Sequence, residues 1–194
     1  MTINTTQKSV LFVKNEAKGQ VVTCKEGLSF WGGVDPDTGV IIDVHHPNHG
    51  EILAGKIVLM PTSRGSCSGS GVLLQLARNG FAPKALVFRE TEDILTLGAF
   101  IAARLFNSHI AVLRLAPEIY DALSTSKEAE INDNTLHFLG QSIPLNVPST
   151  QSLQLNKSDL DILEGCDGQA RQIAMEVICL MAVAQGAQEL IDVS

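Results

Sequence analysis

Aromatic residues are scarce in this 194-residue chain: one Trp, one Tyr and seven Phe make up 5% of it. Basic residues are scarce too, with 14 Lys and Arg against 21 Asp and Glu, a formal charge of −7. The cations are scattered, whereas a nucleic-acid surface needs them clustered, so that class of partner is not expected. Only four cysteines occur, Cys24, Cys67, Cys166 and Cys179, with no CxxC and no His at zinc-ligand spacing. A metal or iron–sulfur site built by this chain alone is therefore not expected. No run approaches the roughly 18 apolar residues of a membrane span, and residues 1–8 are polar, without the apolar core of a signal peptide. The default location is the cytoplasm, and Asn4-Thr-Thr6 and Asn156-Lys-Ser158 are chance matches to the glycosylation sequon. What is present, 45% hydrophobic and 18% charged residues with ordinary Gly and Pro, makes a globular protein long enough to bury a real core.

The charge is unevenly placed. Residues 157–194 hold Lys157 and Arg171 against seven carboxylates, net −5, which leaves net −2 for residues 1–156. The polar stretch Pro148-Ser-Thr-Gln-Ser152 between these regions reads as a domain joint.

Along the first fifty residues, short apolar runs alternate with turn signals: Val10-Leu-Phe-Val13, Val21-Val-Thr-Cys24 and Leu28-Ser-Phe-Trp31. Asp35-Pro-Asp-Thr-Gly39 reads as a turn leading to a strand at Val40-Ile-Ile-Asp-Val44. From Lys56 the pattern changes to continuous apolar runs at 57–60, 85–88 and 110–113, separated by helical patterns at 72–78 and from Glu92-Asp93 onward. Asn79-Gly80 closes the first helix as a C-cap. Strands apolar on both faces and joined by helices predict two βαβ units in a buried parallel sheet. Residues 129–132, 135–139 and 143–147 read as short β segments that close the domain.

Beyond the joint, Ser158-Asp-Leu-Asp161 opens a short helix, and a longer one runs from about Gly168 with apolar residues on all faces. A helix of that kind needs to be surrounded, which predicts self-association or a partner.

The sharpest local feature is Pro61-Thr-Ser-Arg-Gly-Ser-Cys-Ser-Gly-Ser-Gly71, between a buried strand and a helix. Small residues let the backbone N–H groups converge, and the following helix start adds positive dipole, so the loop suits an anion. Arg64 supplies a fork for carboxylate or phosphate, while Ser63, Ser66, Ser68 and Ser70 supply hydroxyl donors and a potential base. Both the P-loop and the GxGxxG pattern are absent. The plain alternative is a strand-to-helix connection without a ligand. Cys67 sits where a helix start would perturb a thiol. His45-His-Pro-Asn-His49 lacks a carboxylate or Cys partner nearby, so a role other than metal binding is expected.

Read with its neighbours, the loop resembles a known family. Leu28-Ser-Phe-Trp-Gly-Gly-Val-Asp-Pro-Asp-Thr-Gly39, the turn from His46-Pro47 to Gly50, the Arg-Gly-Ser core of 61–70, and Ala82-Pro83 before a strand are similar to the swivel domain, or small subunit, of aconitase X enzymes. The resemblance places that swivelling β/β/α domain at 8–148. It identifies 157–194, with Ala174-Met-Glu176 and Gly186-Ala-Gln-Glu-Leu-Ile-Asp192, as the helical start of the family's catalytic domain.

The resemblance implies a component of a hydro-lyase that dehydrates a small hydroxy acid, either cis-3-hydroxy-L-proline or, as the alternative, mevalonate 5-phosphate. It implies an iron–sulfur cluster held by a partner catalytic domain or subunit, not by this chain. Laid on the aconitase Gly-Ser-Ser-Arg loop, Gly65-Ser-Cys-Ser68 makes Ser66 the base, and Ser68 stands where that motif has Arg. The carboxylate clamp then passes to Arg64 or to the partner. Ser63, Arg64, Gly65, Cys67 and Ser68, with Phe30, Gly32 and Gly33 of the first motif, are the expected substrate-binding set. With one cation in the loop and a net-acidic chain, an unphosphorylated acid is favoured. A non-catalytic anion-binding module lacking its partner is the reading from a different class.

Overall fold

The computed structural model of the protein describes residues 9–148. Within them the elements follow as β1 (Val10–Val13), β2 (Ala17–Thr23), β3 (Leu28–Ser29), β4 (Ile57–Met60), β5 (Ser63–Arg64), α1 (Ser68–Asn79), β6 (Ala85–Phe88), α2 (Ile94–Phe106), β7 (Ala111–Arg114), α3 (Pro117–Leu123), β8 (Glu128–Asn132), β9 (Thr135–Phe138) and β10 (Gln141–Pro144). Eight strands form one mixed sheet in the order β1-β7-β6-β4-β2-β8-β9-β10, and β3 pairs with β5 separately.

The two expected βαβ units are there: β4, β6 and β7 are parallel neighbours joined through α1 and α2. Their continuous apolar sequences follow from burial on both faces. Val58, Met60, Leu86, Phe88 and Val112 pack with Leu73 and Leu76 of α1 and with Leu95, Ala99 and Ala102 of α2. The alternate residues Ile57, Leu59, Ala85, Val87, Ala111 and Leu113 fill a second core with Ile119, Tyr120 and Leu123 of α3 and with Ile131, Leu136 and Phe138. Each fully buried Val, Leu or Ile contributes about 1.5–3 kcal/mol, so these two layers dominate the fold's stability.

Strand β2 belongs to both halves of the sheet. Val21, Val22 and Thr23 pair in parallel with β4, while Ala17 to Gln20 pair antiparallel with β8. The sheet continues as a meander whose turns, Asp133-Asn134 and Leu139-Gly140, take positive φ at every residue (47°, 58°, 47° and 74°), as two-residue hairpin turns require. After β10 the chain returns to β1: Leu11 N–H donates to the Asn146 carbonyl at 2.8 Å, and Asn146 N–H donates to that of Ser9 at 3.0 Å. The segment that follows β10 therefore lies along the outer edge of β1, in a single parallel bridge between Val10 and Asn146, and the sheet is curled.

Three details differ from the sequence reading. The strand expected at 40–44 is reduced to single bridges, Val34 to Ile41 and Val40 to Ile52. The Gly33 carbonyl accepts from both Ile42 and Asp43, and the Asp43 carboxylate accepts from His45 N–H, so the chain turns away from a ladder at Asp43. The last strand is 141–144 rather than 143–147, because the Leu139-Gly140 turn sets Gln141 opposite Phe138. Helix α3 adds an element that apolar periodicity is too short to show; Pro117 at its start and Glu118 in its first turn are the available signals.

The segment from Ser149 onward, with the helices expected at 157–194, lies outside the described residues. Among the described residues no helix is long and apolar enough to cross a membrane.

Candidate active site

The loop at 61–67 leaves the C-terminal end of β4, where ligands gather in open parallel sheets. Its neighbour at 89–93 leaves β6, and the two are tied by the Pro61 carbonyl, which accepts from Arg89 N–H at 3.2 Å and Glu90 N–H at 2.9 Å. Thr62 Oγ1 adds a bond to the Thr91 carbonyl at 3.3 Å. On the other side, the β5 residues Ser63 and Arg64 pair in parallel with Leu28 and Ser29 of β3. The sequence motif at 28–33 and the serine loop are thereby brought side by side.

Gly65 then turns the chain into α1 at φ 101°, a value an L side chain rarely adopts, and a Cβ there would lie 3.1 Å from Ser29 Oγ. Ser66 and Cys67 lead directly into α1. Ser66 Oγ lies 3.1 Å from Ser68 Oγ and 3.4 Å from Ser68 N–H, and the Ser66 carbonyl accepts from Gly69 N–H at 3.0 Å. No acidic residue occupies the first turn of α1, and Cys67 makes no side-chain cap there. The first-turn N–H groups are closed locally, Gly69 on the Ser66 carbonyl, Ser70 on the Cys67 carbonyl at 3.2 Å and Ser68 on Ser66 Oγ, so the exposed start of this 12-residue helix has no negative charge of its own beside Ser66.

The other loop residues divide by partner. Ser70 donates to the Cys67 carbonyl at 2.5 Å, and Ser63 donates to the Glu92 carboxylate at 2.7 Å. Arg64 is 60% exposed and pairs with Glu26 at 3.3 Å, an exposed contact of the weak kind that an incoming anion readily displaces. Ser68 and Cys67 are exposed at the helix start. Gly32 lies in open space, Gly33 packs against the Ser29 carbonyl, and Trp31 between Phe30 and Gly32 is 66% exposed.

Phe30 corrects an expectation. Only 1% exposed, it lies in the core under Gly69 of α1, so it supports the loop by packing and does not reach a ligand. An apolar residue inside a glycine-rich motif reads the same from sequence whether it lies in a site or beneath it. Glu92 is the residue that sequence reasoning missed; there it appears only as part of a helix start. It is 5% exposed, and its carboxylate accepts from Ser63 as well as from Leu95 and Thr96 N–H.

The His45–His49 cluster serves the local turn. His46 is buried, its Nδ1 accepts from Asn48 N–H at 3.1 Å, and Asn48 Nδ2 donates to the Thr23 carbonyl. Among the described residues no three His, Cys, Asp or Glu side chains group to hold a metal. Of the two described cysteines, Cys24 is sealed in the core and burial, aided by the Glu51 charge, pushes its thiol up to about 12. A protonated core thiol and a single exposed one do not fit an iron–sulfur cluster.

Comparison with known proteins agrees with this geometry. A family model described as the aconitase X swivel domain matches residues 6–138. A cis-3-hydroxy-L-proline dehydratase of Hypocrea jecorina (strain QM6a) is 41% identical over 202 residues, covering 98% of this chain and 34% of the relative. A phosphomevalonate dehydratase small subunit of Pyrococcus abyssi (strain GE5 / Orsay) is 51% identical over 89 residues, 46% of this chain and 68% of that subunit. In structure, the holo-form of Thermococcus kodakaraensis aconitase X matches with a TM-score of 0.56 and 30% identity, over 68% of this chain and 96% of that one. The chain spans about a third of the length of the dehydratases it matches almost end to end. Serine loop, paired glycine motif, curled sheet and family match point one way: the chain belongs to the aconitase X swivel-domain family.

Proposed function

We infer that this chain is the swivel component of a hydro-lyase acting on cis-3-hydroxy-L-proline, with Ser66 as the base. The observation that carries the reading is Ser66 Oγ at the exposed start of α1, where no acidic residue competes, two residues after an exposed Arg64. The similarity of 98% of this chain to 34% of a dehydratase of that substrate supports it.

A serine hydroxyl is a poor base in water and acts only where its alkoxide is stabilised. Here the Ser68 N–H, 3.4 Å from Ser66 Oγ, and the dipole of α1 do so. Ser66 Oγ donates to Ser68 Oγ at 3.1 Å, so the proton that Ser66 must first lose leaves by relay, Ser68 taking it as its own hydroxyl proton passes to solvent. The Ser66 alkoxide then takes the proton from the carbon bearing the substrate carboxylate. That C–H electron pair becomes the new carbon–carbon double bond, the neighbouring C–O bond breaks, and the hydroxyl leaves as water once protonated. Arg64 exchanges Glu26 for the substrate carboxylate and holds it in register.

The described residues offer no fit for the family's cluster, so in this reading the iron–sulfur cofactor and the group that protonates the leaving hydroxyl belong to the catalytic domain or subunit. The unit at 8–148 is the swivel domain, 157–194 begins the catalytic part, and the assembly works in the cytoplasm. Neither part is active alone.

The test supplies the catalytic part and measures dehydration of cis-3-hydroxy-L-proline by wild type and Ser66→Ala. A loss on the order of 10²–10⁴-fold is expected, and unaltered turnover in the variant would overturn the role of the serine. A second reading, mevalonate 5-phosphate as substrate, draws on the 51% identity to the Pyrococcus abyssi subunit. Running both substrates side by side separates them.

A further inference from the structure

Two acidic residues stand side by side at the start of α2, and the structure uses the less expected one. Asp93 occupies the N-cap position yet makes no side-chain cap. Glu92, one residue earlier and 5% exposed, caps instead: Oε1 accepts from Leu95 N–H at 2.7 Å and Oε2 from Thr96 N–H at 3.0 Å, with Thr96 Oγ1 at 2.8 Å. Burying a carboxylate among neutral donors is costly where an exposed Asp or Ser would cap equally well. What the buried carboxylate adds is a partner outside the helix, the Ser63 hydroxyl of β5 at 2.7 Å.

That bond closes a frame around the serine loop. Ser63, at the loop's entry, is fixed to the start of α2. Ser66 and Gly69, at its exit, are fixed in the first turn of α1. The two helices are locked together where small residues meet: a Cβ on Gly98 would lie 3.1 Å from Ser70 Cα, and one on Gly69 3.6 Å from Ile94. Only two residues, Arg64 and Gly65, separate the anchored Ser63 from Ser66, and the Gly65 backbone is the most permissive link between them.

We propose that Glu92 is a positioning residue that, through Ser63, holds Ser66 at the start of α1. The Ser63 hydroxyl then serves the frame and not the substrate. The proposal rests on the reading that Ser66 is the reacting group, and its test separates the two.

The test uses hydrogen exchange of the full chain together with kinetics of the complete enzyme on cis-3-hydroxy-L-proline. Ser63→Ala leaves the Leu95 and Thr96 bonds of Glu92 in place, so α2 amides keep their protection while Gly69 and Ser70 amides exchange about tenfold faster or more. Its kcat falls about tenfold or more with KM within twofold, since a small misplacement of a reacting group costs up to about 100-fold. Ser63→Thr, which keeps the hydroxyl, restores both, and Glu92→Gln loosens the loop and α2 together. Unchanged Gly69 and Ser70 exchange in Ser63→Ala would overturn the proposal, as would a loss confined to KM, which would make Ser63 a substrate ligand. Ser66→Ala with activity intact but with the Ser63→Ala exchange effect present would instead remove the base assignment and leave the frame standing.

Discussion

Helices α1 and α2 cross the same face of the sheet and begin within one small region, yet their first turns are finished in opposite ways. That of α2 is filled by its own buried Glu92, which takes up the Leu95 and Thr96 N–H groups. That of α1 has no acidic residue and is closed by neutral groups alone: the Ser66 and Cys67 carbonyls accept from Gly69 and Ser70 N–H, and the Ser66 hydroxyl lies 3.4 Å from Ser68 N–H. One helix start carries a buried negative charge of its own, and the other, exposed and closed by neutral groups, carries none. The difference teaches where stability and function have been separated: the same dipole holds the frame in α2 and is left available in α1.

The comparison can be broken from either side. Replacing Glu92 by Ala should cost most, about 2–3 kcal/mol, because two buried N–H groups lose their acceptor at once; thermal denaturation of the chain measures it. Gly98→Ala comes next. Its methyl would press on Ser70 Cα at 3.1 Å and spread the helix crossing, costing about 1–3 kcal/mol as overpacking does and lowering activity of the complete enzyme by displacing the start of α1. Cys67→Asp makes α1 resemble α2 by bringing negative charge to the open end. It should raise stability by about 0.3–1 kcal/mol while reducing activity severalfold, a trade that a purely structural loop would not show.

The same contrast divides the two described cysteines. Cys67 at the open helix start is exposed and should alkylate in the native chain, whereas Cys24 should not. The Cys24 thiol is raised to about 12 when folded, so above its ordinary value near 9 the unfolded chain loses that proton first. Its contribution to stability is therefore intact below pH 9 and falls as pH rises from 9 toward 12, by up to about 1.4 kcal/mol per pH unit. Cys24→Ala should flatten the stability profile over that window, read by denaturant unfolding at several pH values.

Much of this was legible in the sequence, for reasons that differ by element. The runs at 57–60, 85–88 and 110–113 announced buried parallel strands because both faces are covered and no residue needed to be polar. Gly80 marked the end of α1, where it takes φ 78°. The serine loop was legible because its small residues and Arg64 are consecutive. What stayed hidden depends on contacts distant in sequence: Ser63 and Glu92 are 29 residues apart, and nothing in either neighbourhood signals the other. The burial of Phe30 was hidden for the same reason, since the helix that covers it begins at Ser68. The short strand expected at 40–44 failed because β propensity cannot see the Gly33 carbonyl drawing two N–H groups out of register.

The meeting of Ser9 and Leu11 with Asn146 has a mechanical meaning. Chain enters and leaves the described unit at neighbouring points, bonded to each other between the start of β1 and the segment after β10. Such a body has its two points of attachment in one place. Neighbouring ends suit both a unit set into a longer polypeptide, such as the Hypocrea jecorina relative, and a separate subunit, such as that of Pyrococcus abyssi. Within the unit, the serine loop is tied to the sheet by its own hydrogen bonds, so sheet and loop are one piece whatever the chain is joined to at that point.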